Sequence, residues 1–290
     1  MAADPIKLKY KITDPYKTTS NVTNIAIQKK FTNPVGQIVE LGEKSEILNR
    51  FCSGFNINEG QYFLTAGHCI ASAYAQSNLP VCFMYDGKSP LPNGKCAISF
   101  DNEASEIGFD SRRMYDVCVL ENPVKIEEIV VHGYCEPAKV DYGVLKLASE
   151  AQNYGSLAFA NFSPNLNSAI EIIHHPKQMS KRHSEGKLIG YNENGSRFVH
   201  NASTYGGSSG SPVLSQGLVI GVHVAGEEYQ CGNKYIQKNQ AVVIDKILDD
   251  AKKHNHYRFF HHSSSTNTIA RNDGIVRLHP SLQPGGGCCN

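Results

Sequence analysis

An all-β fold, a sandwich or a pair of barrels, is what this sequence predicts. Three observations predict it. A dozen short runs rich in β-branched and aromatic residues recur between residues 36 and 244. Gly, Asn, Asp or Pro separates one run from the next. Helical periodicity is confined to one segment, about residues 245–254, where Ile247, Leu248 and Ala251 are interleaved with Asp and Lys. The chain has 290 residues and 40% hydrophobic content, enough to bury a core and too much for a disordered chain. With 28 basic and 27 acidic residues, bulk charge gives no reason to expect a nucleic-acid or membrane-surface partner. No apolar run approaches the 18 or so residues of a spanning helix, so no transmembrane segment is expected. Phosphate-loop and dinucleotide fingerprints are missing, and no cofactor or metal is expected.

Taken in order, residues 1–25 read as an irregular lead-in. They lack an apolar core of the secretory type, so a cytoplasmic location is expected, or a secreted one if the chain is a mature fragment. On that expectation the glycosylation-type triplets at Asn21, Asn161, Asn194 and Asn201 are incidental. Strands are expected at 36–41, 62–65, 81–85, 97–100, 117–120, 128–132 and 142–147. A further strand and hairpin turn is expected over 51–60. A second series follows at 169–173, 197–200, 213–214, 218–224 and 241–244. After His256 the sequence turns to Ser, Asn, His and Gly, and residues 256–290 read as a flexible tail.

Two segments carry the chemistry. Residues 204–213 read Thr-Tyr-Gly-Gly-Ser-Ser-Gly-Ser-Pro-Val. A serine hydroxyl attacks a carbonyl only with a base beside it and N–H groups aimed at the developing oxyanion. A tight turn with glycine at 207 and 210 lets the backbone approach a substrate and leave again at once. Upstream, residues 62–69 read Tyr-Phe-Leu-Thr-Ala-Gly-His-Cys, an apolar strand delivering His68 on a turn of small residues.

Leu-Thr-Ala-Gly-His-Cys followed far downstream by Gly-Ser-Ser-Gly-Ser-Pro resembles the chymotrypsin/trypsin-like serine protease superfamily. The likeness is greatest to its signal-free trypsin-like and glutamyl-endopeptidase-like branches and spans about residues 35–250. It implies two six-stranded antiparallel barrels, one over about 26–150 and one over about 165–245, with the C-terminal helix behind them. The protease domain would cover 26–255. A serine endopeptidase acting on polypeptides through an acyl-enzyme is then expected. His68 would be the base, Ser209 the nucleophile, and the N–H groups of Gly207 and Ser209 the oxyanion hole. The superfamily places its orienting aspartate just before an apolar strand, and both Asp116 and Asp141 stand so. Asp141 is favoured, because Asp116 would leave two further strand-like runs for the linker between barrels. A pseudoprotease that only binds, and a virus-type protease processing a polyprotein, are the alternative readings.

The resemblance also speaks to specificity. Trypsins carry an aspartate six residues before the nucleophile, and Ser203 is there instead. Thr204 and His223 are placed like the Thr and His that line the first pocket of picornavirus main proteases, so a Glu or Gln preference is expected. Ser208 replaces the aspartate of zymogen-activated members, and no Ile-Val-Gly-Gly start is seen, so activation by a freed amine is not expected. Cys52/Cys69 and Cys82/Cys96 occupy disulfide-type positions, yet reduced thiols are expected with a cytoplasmic location. Residues 172–177 resemble a strand and turn that shape the cleft rim. Finally, Cys288 and Cys289 after three glycines resemble the double-cysteine prenylated tails of small GTPases, which makes lipid anchoring a lesser expectation.

Overall fold

The computed structural model describes residues 31, 33–42, 47–70, 96–100, 123–133, 140–178, 181–192, 194–231 and 234–261. The runs at 81–85 and 117–120, Asp116, Cys82, and Cys288 with Cys289 lie outside the described residues.

Twelve strands close into two barrels of six. The first holds β1 (Val35–Leu41), β2 (Ile47–Ile57), β3 (Tyr62–Thr65), β4 (Cys96–Ser99), β5 (Val124–Gly133) and β6 (Tyr142–Leu147). The second holds β7 (Ala169–His174), β8 (Arg182–Tyr191), β9 (Arg197–His200), β10 (Pro212–Ser215), β11 (Leu218–Cys231) and β12 (Lys234–Val243). The orders are β1-β2-β3-β6-β5-β4 and β7-β8-β9-β12-β11-β10, so the same connectivity is used twice. The strands pair antiparallel throughout, and closure gives every strand a partner on both sides over part of its length.

Alternation explains the inner faces. In β7, Ile170 and Ile172 are buried while Ala169 and Glu171 are exposed. Ile170, Ile172, Leu188, Phe198, Val213 and Ile220 fill the second barrel. The larger core is that of the first barrel, and it continues across to Leu214, Val219, Val222 and Val224 of the second. The two barrels therefore share a continuous apolar seam. The linker crosses that seam with bonds in both directions, Ala160 N–H to Val219 O (2.9 Å) and Val219 N–H to Ala158 O (2.9 Å).

The strand β8 was absent from the sequence expectation, for a physical reason. Its alternation is real, but Arg182, Ser184, Gly186 and Leu188 form one face, and only Leu188 of these is apolar. A hydrophobic period cannot be read from such a set.

The helix α1 (Ile244–Lys253) starts directly from β12. It buries Ile244, Ile247, Leu248 and Ala251, an i, i+3, i+4, i+7 stripe. Asp245 in its first turn and Lys252 and Lys253 in its last suit the helix dipole. The flexible tail expected over 256–290 is corrected for its first residues, while 262–290 lie outside the described residues. Tyr257–Phe259 form a short 3₁₀ turn, and Phe259 and Phe260 are buried. Phe259 packs on Tyr62 (5.2 Å between rings), and Phe260 on Tyr142 and Phe159 (6.2 and 6.1 Å). Burying two phenylalanines outweighs the polar composition around them. None of the described helices is long and apolar enough to cross a membrane.

The Tyr142 hydroxyl donates to Asp250 Oδ2 at 2.9 Å, tying the first barrel to α1. Burial, then the Asp250 charge, raises its pKa far above the ordinary tyrosine value. Tyr142→Phe removes this bond and leaves the ring packing intact. We expect a loss of about 1 kcal/mol in equilibrium urea unfolding with an unchanged m-value. An unchanged midpoint would show that the bond contributes nothing.

Candidate active site

The site forms where the two barrels meet, and its first half comes from β3 and β6. Pairing of Thr65 with Gly143 sets the end of β3 beside the start of β6. Gly143 has no Cβ because Ile70 occupies that space. Asp141, the residue before β6, is thereby aimed at the turn after β3. It clasps His68 at two points. Its Oδ1 accepts the His68 backbone N–H at 2.9 Å, and its Oδ2 lies 2.9 Å from His68 Nδ1. An ionised carboxylate only accepts, so His68 carries its proton on Nδ1 and presents a lone pair at Nε2. The Asp141 side chain is 7% exposed and that of His68 is 24% exposed. The acid is thus shielded while the base reaches solvent. Of the two candidate acids, Asp141 is the one brought to His68; Asp116 lies outside the described residues.

The second half is the turn from Tyr205 to Ser211. Tyr205 and Ser208 close it reciprocally. Ser208 N–H donates to Tyr205 O (2.9 Å), and Tyr205 N–H donates to Ser208 Oγ (3.1 Å). Gly207 sits at φ 94° and Gly210 at φ 87°, in the left-handed region that favours glycine. The directions of two peptide planes follow from their carbonyls. Gly206 O accepts Lys177 N–H at 2.6 Å, and Ser208 O accepts Ser211 N–H at 3.1 Å. In a trans peptide the N–H points opposite to the C=O. The N–H groups of Gly207 and Ser209 therefore point away from those anchors. Neither donates to a recorded acceptor among the described residues. Two free N–H groups flanking a serine are what an oxyanion requires.

The halves are joined through Ser53 of β2. Ser53 N–H donates to Ser209 O (2.8 Å), and Ser53 Oγ donates to Gly207 O (2.8 Å). Ser53 Oγ in turn accepts His175 N–H at 2.9 Å. Thr65, three residues before His68, donates its hydroxyl to Ser53 O at 2.8 Å. Ser209 and His68 are thus fixed to the same stretch of β2 and β3.

The expected pocket residues lie alongside. His223 on β11 is bound through its backbone to the turn, accepting Gly210 N–H (2.7 Å) and donating to Ser211 O (2.9 Å). His223, Thr204 and Ser203 are all buried. Gly226 faces Thr204 Oγ1 and Asn239 Oδ1, where a Cβ would collide. His223 Nδ1 lies 3.3 Å from Nε2 of His200, a fully buried residue of β9. Burial, and then the nearby His68, push the His223 pKa down to about 3. Burial, and then His223 and His174, hold His200 well below the ordinary value.

Two sequence expectations change. Cys52 and Cys69 form a disulfide rather than free thiols. Their sulfurs and a His68 ring nitrogen lie within 4.8 Å of one another, so the crosslink braces the segment that carries the base. Both sulfurs are committed, which leaves no thiolate there for a metal. Cys96 is also disulfide-bonded, and its expected partner Cys82 is outside the described residues. Residues 172–177, expected to shape the cleft rim, divide into a buried part and the exposed Lys177 beside the Tyr205 ring. His174 and His175 are fully buried; His174 bonds Ser208 of the turn, and His175 N–H bonds Ser53 Oγ beside it. Sequence reasoning noticed this pair and missed its place, and it missed Ser53, Ser184 and His200 altogether.

Gly210 packs against Ser53 O and Thr65 Oγ1 at the joint between barrels. Gly210→Ala puts a methyl group into that joint and strains a positive φ. We expect it to cost at least about 2 kcal/mol in urea unfolding. Wild-type stability would show that the joint gives way freely.

The buried histidines predict a pH dependence. His174, His200 and His223 all have lowered pKa values in the folded state, burial being the leading cause. The unfolded chain takes up their protons near pH 6.5 and the folded chain does not. Stability is therefore full above pH 6.5 and falls as pH drops below it. The slope approaches about 1.4 kcal/mol per pH unit for each histidine. Unfolding curves measured from pH 7.5 to 5 should show it, and a flat profile would mean that the three sites accept protons while folded.

A family model described as "Trypsin-like peptidase domain" matches residues 52–222, which include His68, Asp141 and Ser209. A curated protein of Plasmopara viticola, "Secreted RxLR effector protein 73", is 25% identical over 227 residues, covering 74% of this chain and 49% of that protein. The chain spans about half the length of the curated relative it matches. Among solved structures, the serine endoprotease from Yersinia pestis superposes with a TM-score of 0.51 at 14% identity, covering 80% of this chain and 65% of that one. The inactive form of a Ser343Ala mutant of Rv3671c from M. tuberculosis aligns over 80% of this chain and 92% of that one, with a TM-score of 0.49 at 15% identity. With the family model matching more than half of its length and two six-stranded barrels beneath it, the chain belongs to the trypsin-like peptidase family, a family of serine-type peptidases.

Proposed function

We propose that this chain is an active serine endopeptidase with Ser209 as nucleophile, His68 as base and Asp141 as orienting acid. The observation that carries the reading is the two-point clasp of Asp141 on His68. A carboxylate bound only to the ring would still let the imidazole swing. One bound also to the backbone N–H fixes ring and main chain together. His68 Nε2 takes the Ser209 hydroxyl proton as Oγ bonds to the scissile carbonyl carbon. The carbonyl oxygen becomes an oxyanion held by the N–H groups of Gly207 and Ser209. His68 then returns the proton to the leaving amine, the C–N bond breaks, and an acyl-enzyme remains. Water, activated by the same base, releases the new carboxylate and restores Ser209.

Fluorophosphonate labelling tests this directly. Wild type should label and Ser209→Ala should not. Asp141→Asn should lower kcat by about 10³–10⁴-fold, because the amide no longer enforces the Nδ1–H tautomer. A folded wild type that neither labels nor cleaves would leave only the binding-module reading.

For specificity we propose Gln or Glu before the cleaved bond. His223 supports it. Its Nδ1 faces His200, which leaves Nε2 to a ligand. The Nδ1 of His200 is buried and has no partner among the described residues. A lone pair left there costs less than an unpaired N–H, so the His200 proton sits on Nε2 and points at His223. His223 then carries its own proton on Nε2 and offers it to the substrate. A neutral donor accepts a carboxamide without adding buried charge. Peptide profiling should favour Gln and Glu over Lys and Phe by about 100-fold or more. The Gln-to-Glu ratio should be highest near pH 8 and fall toward pH 5 as the Glu carboxyl gains its proton. A preference for Lys or Phe would remove the proposal.

We further propose an oxidising compartment in place of a cytoplasmic one, supported by the Cys52–Cys69 disulfide beside His68. The word "Secreted" in the name of the Plasmopara viticola relative leans the same way. Thiol titration of native protein should find Cys52 and Cys69 unreactive until reductant is added; labelling of both without reductant would reverse this.

A further inference from the structure

We propose that His174 is a positioning residue for the oxyanion hole, acting through the Ser208 hydroxyl; this rests on the endopeptidase reading above. His174 ends β7 directly beneath the nucleophile turn and is fully buried. Both ring nitrogens are engaged. Nδ1 lies 2.7 Å from Ser208 Oγ, and Nε2 lies 2.8 Å from Ser184 Oγ on β8. The bond directions can be assigned. Ser208 is fully buried, so its hydroxyl hydrogen needs an acceptor; Tyr205 N–H is a donor, which leaves His174 Nδ1 as the acceptor among the described residues. Nδ1 is therefore the acceptor, the ring proton is on Nε2, and Nε2–H donates to Ser184. Burial holds the ring neutral, as this pattern requires.

Ser208 is the residue between the two oxyanion donors, Gly207 and Ser209. Its hydroxyl closes the turn by holding Tyr205 N–H, and His174 holds that hydroxyl. The four residues from His174 to Lys177 grip the same turn at further points. His175 N–H reaches Ser53 Oγ, the group that binds Gly207 O. Lys177 N–H binds Gly206 O at 2.6 Å, and Lys177 Nζ lies 4.2 Å from the centre of the Tyr205 ring. His174 and Ser208 are each completely shielded from solvent, so the pair does not attack substrate. Its effect reaches the reaction through the direction of two N–H groups.

The test separates the oxyanion hole from general substrate binding. His174→Leu removes the acceptor, His174→Asn retains one in its Oδ1, and Ser208→Ala removes the hydroxyl. Each is assayed for kcat and KM on one good peptide. Each is also assayed for inhibition by the matching peptide aldehyde, whose adduct forms an oxyanion, and by the matching peptide alcohol, which does not. Removing one oxyanion donor outright costs about 10²–10³-fold in kcat, and an indirect loss should be smaller. We expect His174→Leu and Ser208→Ala to lower kcat by about 10–100-fold and aldehyde affinity in proportion. KM and alcohol affinity should stay within about threefold, and His174→Asn should recover most of the loss. A folded His174→Leu with wild-type kcat would overturn the proposal. So would a loss shared equally by aldehyde and alcohol. If His174→Leu does not fold, Ser208→Ala decides: unchanged aldehyde affinity overturns it. A wild type inert to fluorophosphonate sinks the endopeptidase reading instead, which these variants do not test.

Discussion

The site depends on Ser53. This single buried residue of the first barrel binds the nucleophile turn of the second through both its backbone N–H and its hydroxyl. Neither barrel alone holds both His68 and Ser209. His68 is fixed by β3 and β6, whereas Ser209 is fixed by a turn leading into β10. The apolar seam brings the barrels together without direction, because hydrophobic burial has none. Hydrogen bonds from Ser53 to Ser209 O and Gly207 O, and from His175 N–H to Ser53 Oγ, supply the register. The absence of a Cβ at Gly210 is what allows that contact.

A second constraint is the burial of uncharged histidines. His174, His200 and His223 sit in the second barrel and around its junction, where an apolar chain would pack more cheaply. Each makes a hydrogen bond whose direction depends on a neutral ring. A neutral imidazole is both donor and acceptor, so it transmits a proton position from one group to the next. The Ser184–His174–Ser208 chain ends at the oxyanion turn, and the His200–His223 pair ends at the proposed pocket. In both cases a buried polar group sets which way an active-site hydrogen points. Burial keeps these rings unprotonated, and the same burial makes the fold sensitive to acid.

The C-terminal elements serve the first barrel although they follow the second in sequence. The helix α1 carries Asp250 to Tyr142, and Phe259 and Phe260 pack on Tyr62, Tyr142 and Phe159. Tyr142 directly follows Asp141. The strap therefore stabilises the strand start that delivers the acid to His68.

Much of this was legible in the sequence. Short β-branched and aromatic runs marked eleven of the twelve strands in whole or part, and β8 escaped because polar side chains and glycine fill most of its inner face. The motifs around His68 and Ser209 singled out the proposed base and nucleophile, and the run of strands after Asp116 favoured Asp141, which lies against His68. A motif records residues that are adjacent along the chain. Ser53, His174, Ser184 and His200 act through partners that are distant in sequence, and nothing local distinguishes them from ordinary core or strand residues. The Cys52–Cys69 disulfide ran against expectation, since the spacing suits a crosslink but the expected compartment pointed to free thiols. By itself the sequence determined the all-β class and, through its likeness to a known family, the expectation of a doubled barrel and of the candidate groups of the site. Only the tertiary structure decided how those groups are held, because a hydrogen bond's direction depends on where its partner lies in space.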